Sequence, residues 1–322
     1  MSELHKFLFD GLPVRGMIVR LTDAWQEILQ RRRADDSHSP WPWPVTQMLG
    51  EMAAAGVLMQ SNIKFNGALI MQIFGEGPVK VAVAEVQHDL SLRVTAKVVG
   101  EVAGDVHLQQ LVNVNGRGRC AITLDPKDRV PGQQAYQGVV PLNASYGEGQ
   151  PDLAHVLEHY MRQSEQLDTR LVLAADEKVA AGILIQRLPV EGKKNIEGGG
   201  QEMDPAEQLE HFNRIGTLAA SLTHDELLQL DVETILRRLF WQEKILRFDP
   251  QTPRFACTCS RERVTGMIRG LGQDEAESIL QERGQIDVSC DFCGQHYRFD
   301  AVDSAQIFMA PGDRPPTSST VQ

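Results

Sequence analysis

An α+β chain carrying a small cysteine-rich appendage is the fold class this sequence predicts, on three observations. Glycine-punctuated apolar runs between Ile63 and Leu142 have the length and patterning of strands. Helical periodicity takes over after the polar, triple-glycine stretch at 191–203 (EGKKNIEGGGQEM), which reads as a domain boundary or hinge. Four of the five cysteines then fall in two close pairs, Cys257-Thr-Cys259 and Cys290-Asp-Phe-Cys293.

Bulk properties narrow the function classes. The 322 residues suffice for two domains, or one large domain with an appendage, and 42% hydrophobic with 23% charged content is ordinary for a globular protein. A net charge of −11 argues against broad attraction to nucleic acid or anionic lipid. No window reaches the roughly 18 uninterrupted apolar residues of a membrane span. Met1 to Asp10 holds Glu3 and Asp10 and no long apolar run, so no export signal is read there. The expectation is a cytoplasmic protein whose thiols are kept reduced.

Along the chain, Pro13–Thr22 predicts a strand and Asp23–Arg33 a helix with Thr22 as N-cap. Residues 34–44 (ADDSHSPWPWP) predict a surface loop whose Trp41 and Trp43 pack back onto the core. A helix rich in small residues follows from Val45 to Met59. Strands are expected at Ile63–Phe65, Ala68–Phe74, Val79–Val86, Leu92–Val99, Arg119–Leu124 and Ala135–Val140, with Cys120 a buried small hydrophobe. Gly75-Glu-Gly77-Pro78-Val-Lys80 lacks the full phosphate-loop pattern, and Pro78 has no N–H to offer, so it is a turn.

The helix expected from Asp152 to Glu165 contains His155-Val-Leu-Glu158-His159, the pattern of inverted zinc peptidases. Patterns this loose arise by chance, and a plain amphipathic helix is the preferred reading. Strands return at Thr169–Leu173 and Gly182–Leu188. After the hinge, Leu209, Phe212, Ile215, Leu218 and Leu222 make one apolar stripe, Thr223 to Glu226 has capping-box form, and Val232–Leu246 adds another amphipathic helix.

Thiolates at the spacing of the two pairs converge naturally on one tetrahedral ion, and Zn²⁺ suits an all-sulfur shell. The metal ligands are therefore Cys257, Cys259, Cys290 and Cys293, with one Zn²⁺ per chain. Gly294 permits the tight turn of a zinc knuckle. Ser260 can cap a helix from Arg261 to Arg269, and that helix start, with Arg261 and Arg263, is expected to favour thiolate. A helix at Asp274–Arg283 ended by Gly284, and a hairpin of Ile286–Cys290 with His296–Phe299, complete the region. The tail after Ala310 reads as disordered.

With these residues in view, the chain resembles the 33 kDa chaperonin family, the redox-regulated heat-shock holdases of bacteria. The likeness runs through LPVRGMIVRLTDAW at 12–25, LGEMAAAGVLMQSNIKFNGALIMQIFGEGP at 49–78, YQGVVPL at 136–142, YMRQSEQLDTR at 160–170, GILIQRLP at 182–189 and LRRLFWQE at 236–243. Most specific is FACTCSRERV at 255–264 coupled to DVSCDFCGQHYRFD at 287–300. The Pro/Trp stretch near 41–44 and the glycines near 198–200 depart from the pattern, both in loops.

The resemblance implies a compact N-terminal α+β core domain at 1–190, then a hinge and metastable helical linker at 191–250. A zinc-binding redox switch at 251–309 and a disordered tail at 310–322 follow. It implies a chaperone rather than an enzyme: an ATP-independent holdase, inactive while reduced and zinc-bound. Under oxidative stress, disulfides Cys257–Cys259 and Cys290–Cys293 form, zinc is released and the linker unfolds. The oxidised protein, a homodimer, then holds unfolded clients for later transfer to chaperones of the DnaK type. Energetics agree, since structural zinc supplies on the order of 10–16 kcal/mol to a small module, against a domain stability of about 5–15 kcal/mol.

Three other readings compete. A zinc ribbon that binds nucleic acid would want a basic stripe, whereas Glu262, Asp274, Glu275, Glu277 and Glu282 offset the arginines here. A thiol–disulfide oxidoreductase would want one exposed pair on a βαβ unit. A zinc site that never switches is separated from the switch by the resemblance alone.

Overall fold

The computed structural model describes residues 1–104, 106–129, 132–143, 151–189 and 204–309. The expected hinge at 191–203 and the tail at 310–322 lie outside them. In chain order the elements are β1 (Glu3–Phe9), β2 (Val14–Leu21), α1 (Asp23–Ala34), α2 (Trp43–Gln60), β3 (Gly67–Phe74), β4 (Val79–Gln87) and β5 (Ser91–Val98). Then come α3 (Leu108–Val112), β6 (Arg119–Pro126), β7 (Tyr136–Pro141), α4 (Leu153–Ser164), β8 (Thr169–Ala175) and β9 (Ala180–Arg187). The remainder is α5 (Pro205–Ala220), α6 (His224–Gln229), α7 (Val232–Phe240), β10 (Ile245–Arg247), β11 (Arg254–Phe255), α8 (Arg261–Leu271), α9 (Gln273–Arg283), β12 (Ile286–Ser289), β13 (His296–Phe299) and α10 (Ala301–Phe308).

Mixed helix and sheet is what the strand and helix patterns predicted. Two compact units result: Met1–Gln30 with Pro40–Ala256, and Arg31–Ser39 with the chain from Cys257 onward. In the first, a five-stranded sheet ordered β10-β1-β2-β9-β8 and a six-stranded sheet ordered β11-β5-β4-β3-β6-β7 both pack on α2. Small residues make that possible. Ala53, Ala54, Ala55 and Gly56 are fully or almost fully buried, and a Cβ on Gly56 would meet Val86 at 2.9 Å. From Met52 to Gln60 every residue of α2 is buried, as its continuous run of Ala, Met, Leu and Val requires.

Helices α5, α6 and α7 cover the other face of the five-stranded sheet. Phe212, Ile215, Leu222, Ile235, Leu239 and Phe240 join Phe7, Phe9, Ile18 and Ile183 in one buried cluster. Phe9 and Phe240 meet edge to face at 5.0 Å, an arrangement favoured by the ring quadrupoles. The foreseen Thr223 capping box is formed, with Glu226 N donating to Thr223 Oγ1 at 3.2 Å and Thr223 N to Glu226 Oε2 at 3.0 Å.

Several local expectations are corrected. The helix expected to reach Leu246 stops at Phe240, and Ile245–Arg247 pair with β1 instead, because the edge of β1 has backbone groups to satisfy. Leu209 stands 42% exposed, so the stripe on α5 begins at Phe212. Ile63–Phe65 is no strand: Asn62 and Ile63 donate back to the last carbonyls of α2, at 3.1 and 3.2 Å from Met59 and Gln60. Trp41 packs inward as expected, but Trp43 is 45% exposed. The prolines at 42 and 44 let the helix start at Trp43, since the first turn needs no N–H donors. Thr22 stands at the expected N-cap position of α1, its carbonyl accepting from Gln26 N at 2.9 Å, and Ser2 Oγ also accepts from Ala24 N at 3.1 Å. Strand β1 and helix α3 were not foreseen.

Candidate metal centre

Residues 244–256 lead into the cysteines as a largely extended tether. Gln251 pairs with Leu4, and Arg254–Phe255 lie parallel to Ser91–Leu92 as β11. Asp89 fixes this run, accepting from Arg254 Nη2 at 2.6 Å. Burial alone would raise its pKa, but hydrogen bonds from Ser91 and Arg254 outweigh that and hold it far below the carboxylate range.

Beyond Ala256, α8, α9, the β12–β13 hairpin and α10 pack around Ile268, Ala276, Ile286, Phe299 and Ile307. Ser260 caps α8 as predicted, accepting from Arg263 N at 3.3 Å. Gly284 ends α9 with φ of +77°, the left-handed conformation glycine adopts freely. Between β12 and β13 the chain turns back on Cys290: Cys293 N and Gly294 N donate to the Cys290 carbonyl at 3.2 and 2.8 Å. Gly294 takes φ of +69°, and any Cβ there would stand 3.0 Å from that of Asp35. Two demands thus fall on one glycine.

This framework brings the sulfurs of Cys257, Cys259, Cys290 and Cys293 within 4.8 Å of one another. The Cys257–Cys290 and Cys259–Cys293 separations are 3.7 and 3.4 Å. Two sulfurs each about 2.3 Å from a tetrahedral ion lie roughly 3.8 Å apart, so the tetrad has the size a Zn²⁺ shell needs. Tyr297 adds a hydroxyl that donates to Cys259 Sγ at 3.2 Å, orienting that sulfur from outside the tetrad.

Without a cation, crowding and burial disfavour charge on Cys290 and Cys293. The Cys257 sulfur, then burial, raises the pKa of Cys290, and burial above all pushes that of Cys293 up to about 11. Four thiolates in this volume need a positive ion among them. The two arginines expected to favour thiolate make hydrogen bonds of their own. Arg261 reaches Arg298 O and Asp303, each at 2.9 Å, and covers the Phe299 ring, while Arg263 binds Thr258 Oγ1 at 2.7 Å.

The segment Arg31–Ser39 belongs to this unit. Asp35 is buried there, accepting from Ser37 N at 2.9 Å and pairing with His38 Nδ1 at 2.8 Å, and Ser37 Oγ lies 3.1 Å from His296 Nε2. Sequence reading missed Tyr297 and Asp35. Proximity to the knuckle could have flagged the tyrosine, but Asp35 is too distant in sequence to have been found.

Elsewhere the decoy motif resolves. Glu158 accepts from Leu171 N at 2.8 Å and Arg170 Nη1 at 3.1 Å, and His155 is held by Asp152 at 2.7 Å, so these side chains tie α4 together and to β8. Among the described residues, the cysteine tetrad is the one grouping of three or more His, Cys, Asp or Glu side chains close enough to hold a metal ion. Cys120 is fully buried in β6, where burial pushes its thiol up to about 12.

Comparison with known proteins gives one answer. The Hsp33 protein family model matches residues 2–300. The 33 kDa chaperonin of Chromobacterium violaceum is 43% identical over 95% of this chain and 94% of its own length. That of Methylobacillus flagellatus is 40% identical, again over 95% and 94%. Among solved structures, the 33 kDa chaperonin (HSP33) of Thermotoga maritima superposes with a TM-score of 0.73 over 95% of this chain and 98% of that one, at 19% identity. With its cysteine tetrad set on this mixed helix-and-sheet fold, the chain belongs to the Hsp33 family, chaperones rather than enzymes.

Proposed function

We propose that this chaperone is switched by oxidation at Cys257, Cys259, Cys290 and Cys293, which hold one Zn²⁺ per chain while reduced. One observation carries the reading: a four-sulfur site joins the two halves of a module whose own buried cluster is five residues. A core that small supplies little stability by itself, so the ion, by cross-linking both halves of the module, supplies much of the rest.

Two disulfides, Cys257–Cys259 and Cys290–Cys293, form as each zinc-held thiolate pair gives up two electrons, either to peroxide, which takes two protons from solvent and leaves as two waters, or to hypochlorous acid, which takes one and leaves as water and chloride. Pairing within each couple turns sulfurs away from their cross-pair neighbours and removes all four ligands, which releases the ion. The module then loosens at Cys257, the residue that follows the tether. Loss of the tether loosens α7, and the apolar face of α5–α7 becomes available to unfolding proteins. Holding needs no ATP. Homodimer formation when oxidised, transfer of clients to DnaK-type chaperones, and a cytoplasmic setting complete the reading.

The test is a paired measurement on reduced, zinc-loaded protein. Zinc release is followed with a chromogenic chelator during peroxide treatment at raised temperature, and suppression of client aggregation is assayed before and after. One zinc per chain should leave as four thiols disappear, with holding activity appearing only then. Zinc that stays bound, or leaves with no gain in activity, refutes the switch.

A further inference from the structure

Strand β1 has β2 on one side and the tether on the other. Hydrogen bonds run along this second edge. Leu4 N and Gln251 O meet at 2.8 Å, Gln251 N and Leu4 O at 2.9 Å, Phe248 N and Lys6 O at 3.0 Å, and Asp10 N and Lys244 O at 2.8 Å. Ile245 faces Phe9 and packs into the cluster that also holds Phe7 and Phe240. The occupant of this edge is therefore an extended segment, bound through its backbone, with an apolar side chain reaching inward.

Alternation along an antiparallel strand turns Leu4, Lys6, Leu8 and Asp10 toward the tether. Once the tether is gone, their N–H and C=O groups form an open sheet edge about seven residues long beside exposed Phe7 and Phe9. Such an edge is a template for another strand. We propose that the vacated edge of β1 is a binding site for an extended client segment with alternating apolar residues, added as a strand in place of residues 244–251. This rests on the switch reading above and assigns its substrate class. The tether is then a resident competitor: the same backbone pairing that closes the edge in the reduced protein recognises clients in the oxidised one.

The experiment uses the full chain and a permanently unfolded client, reduced carboxymethylated lactalbumin, which has no free thiol to reverse the oxidation. Amide exchange of residues 4–10 is measured in reduced protein, in oxidised protein, and in oxidised protein with client. Exchange at Leu4, Lys6, Leu8 and Asp10 should rise at least tenfold on oxidation and fall at least tenfold on client binding. A synthetic peptide of residues 244–251 should compete with the client. Leu8→Pro, an edge substitution that removes one outward N–H, should release zinc normally on oxidation yet hold client about tenfold more weakly. If zinc leaves and holding appears while the β1 edge stays in fast exchange with client bound, the site is elsewhere and this inference falls, though the switch stands. If holding never appears, the switch reading fails and this inference with it.

Discussion

Gly294 shows how much one residue can carry. Its φ of +69° is costly for any residue with a Cβ, by about 1–2 kcal/mol, and the nearness of Asp35 adds crowding. Gly294→Ala should therefore lose zinc to a chelator several times faster than wild type. The knuckle glycine was legible because its role is local. Asp35 opposite it was not, since nothing near residue 35 marks a partner so far along the chain. Glu51 is a second case. It lines a cavity of about 1150 Å³ with Asp152, and burial, then the Asp152 charge, push its carboxyl up to about 8. The folded state thus binds a proton that the unfolded chain releases near its ordinary value of 4.5. Its contribution is complete below that value and is lost as pH rises through about 8, at up to about 1 kcal/mol per unit. Denaturant titrations from pH 5 to 9 should show this decline in wild type and a flatter one in Glu51→Gln.

Among the elements, α7 is the one whose packing most concerns the proposed switch. Phe240 is 2% exposed against Phe7 and Phe9, and removing such a ring from a core costs about 3–5 kcal/mol. Phe240→Ala should raise amide exchange across residues 232–247 and allow reduced, zinc-loaded protein to bind an apolar dye and hold some client. The amphipathic pattern of α5–α7 was readable because it is periodic. Where α7 ends was not: Ile245 and Leu246 extend the apolar run, and only the free edge of β1 makes them a strand. The same limit explains β1 itself, whose polar Glu3, His5 and Lys6 interrupt any alternation.

For the whole molecule, the division at Ala256 and Cys257 separates a unit with large buried clusters from one whose cluster is five residues. Chelation of the reduced protein should raise amide exchange throughout residues 257–309 while β3, β4 and β9 keep their protection. Uniform loss of protection would mean that the metal supports the entire fold. The fold class and the grouping of the four cysteines were legible because strand alternation and cysteine spacing are local signals. How α5–α7 are covered was not, because their partner is a sheet assembled from strands at both ends of the N-terminal stretch.

The placement of the tryptophans bears on how such a switch is watched. Trp25 and Trp41 are buried in the core of the larger unit, while Trp43 and Trp241 already face water at 45% and 73% exposure. None lies beyond Cys257, whereas Tyr297 touches a cysteine sulfur. Oxidation that spares the core should leave the indole emission spectrum almost unchanged while tyrosine absorbance moves. A red shift in emission would then be an alarm that the core itself has opened, and would tell damage from activation without any added label.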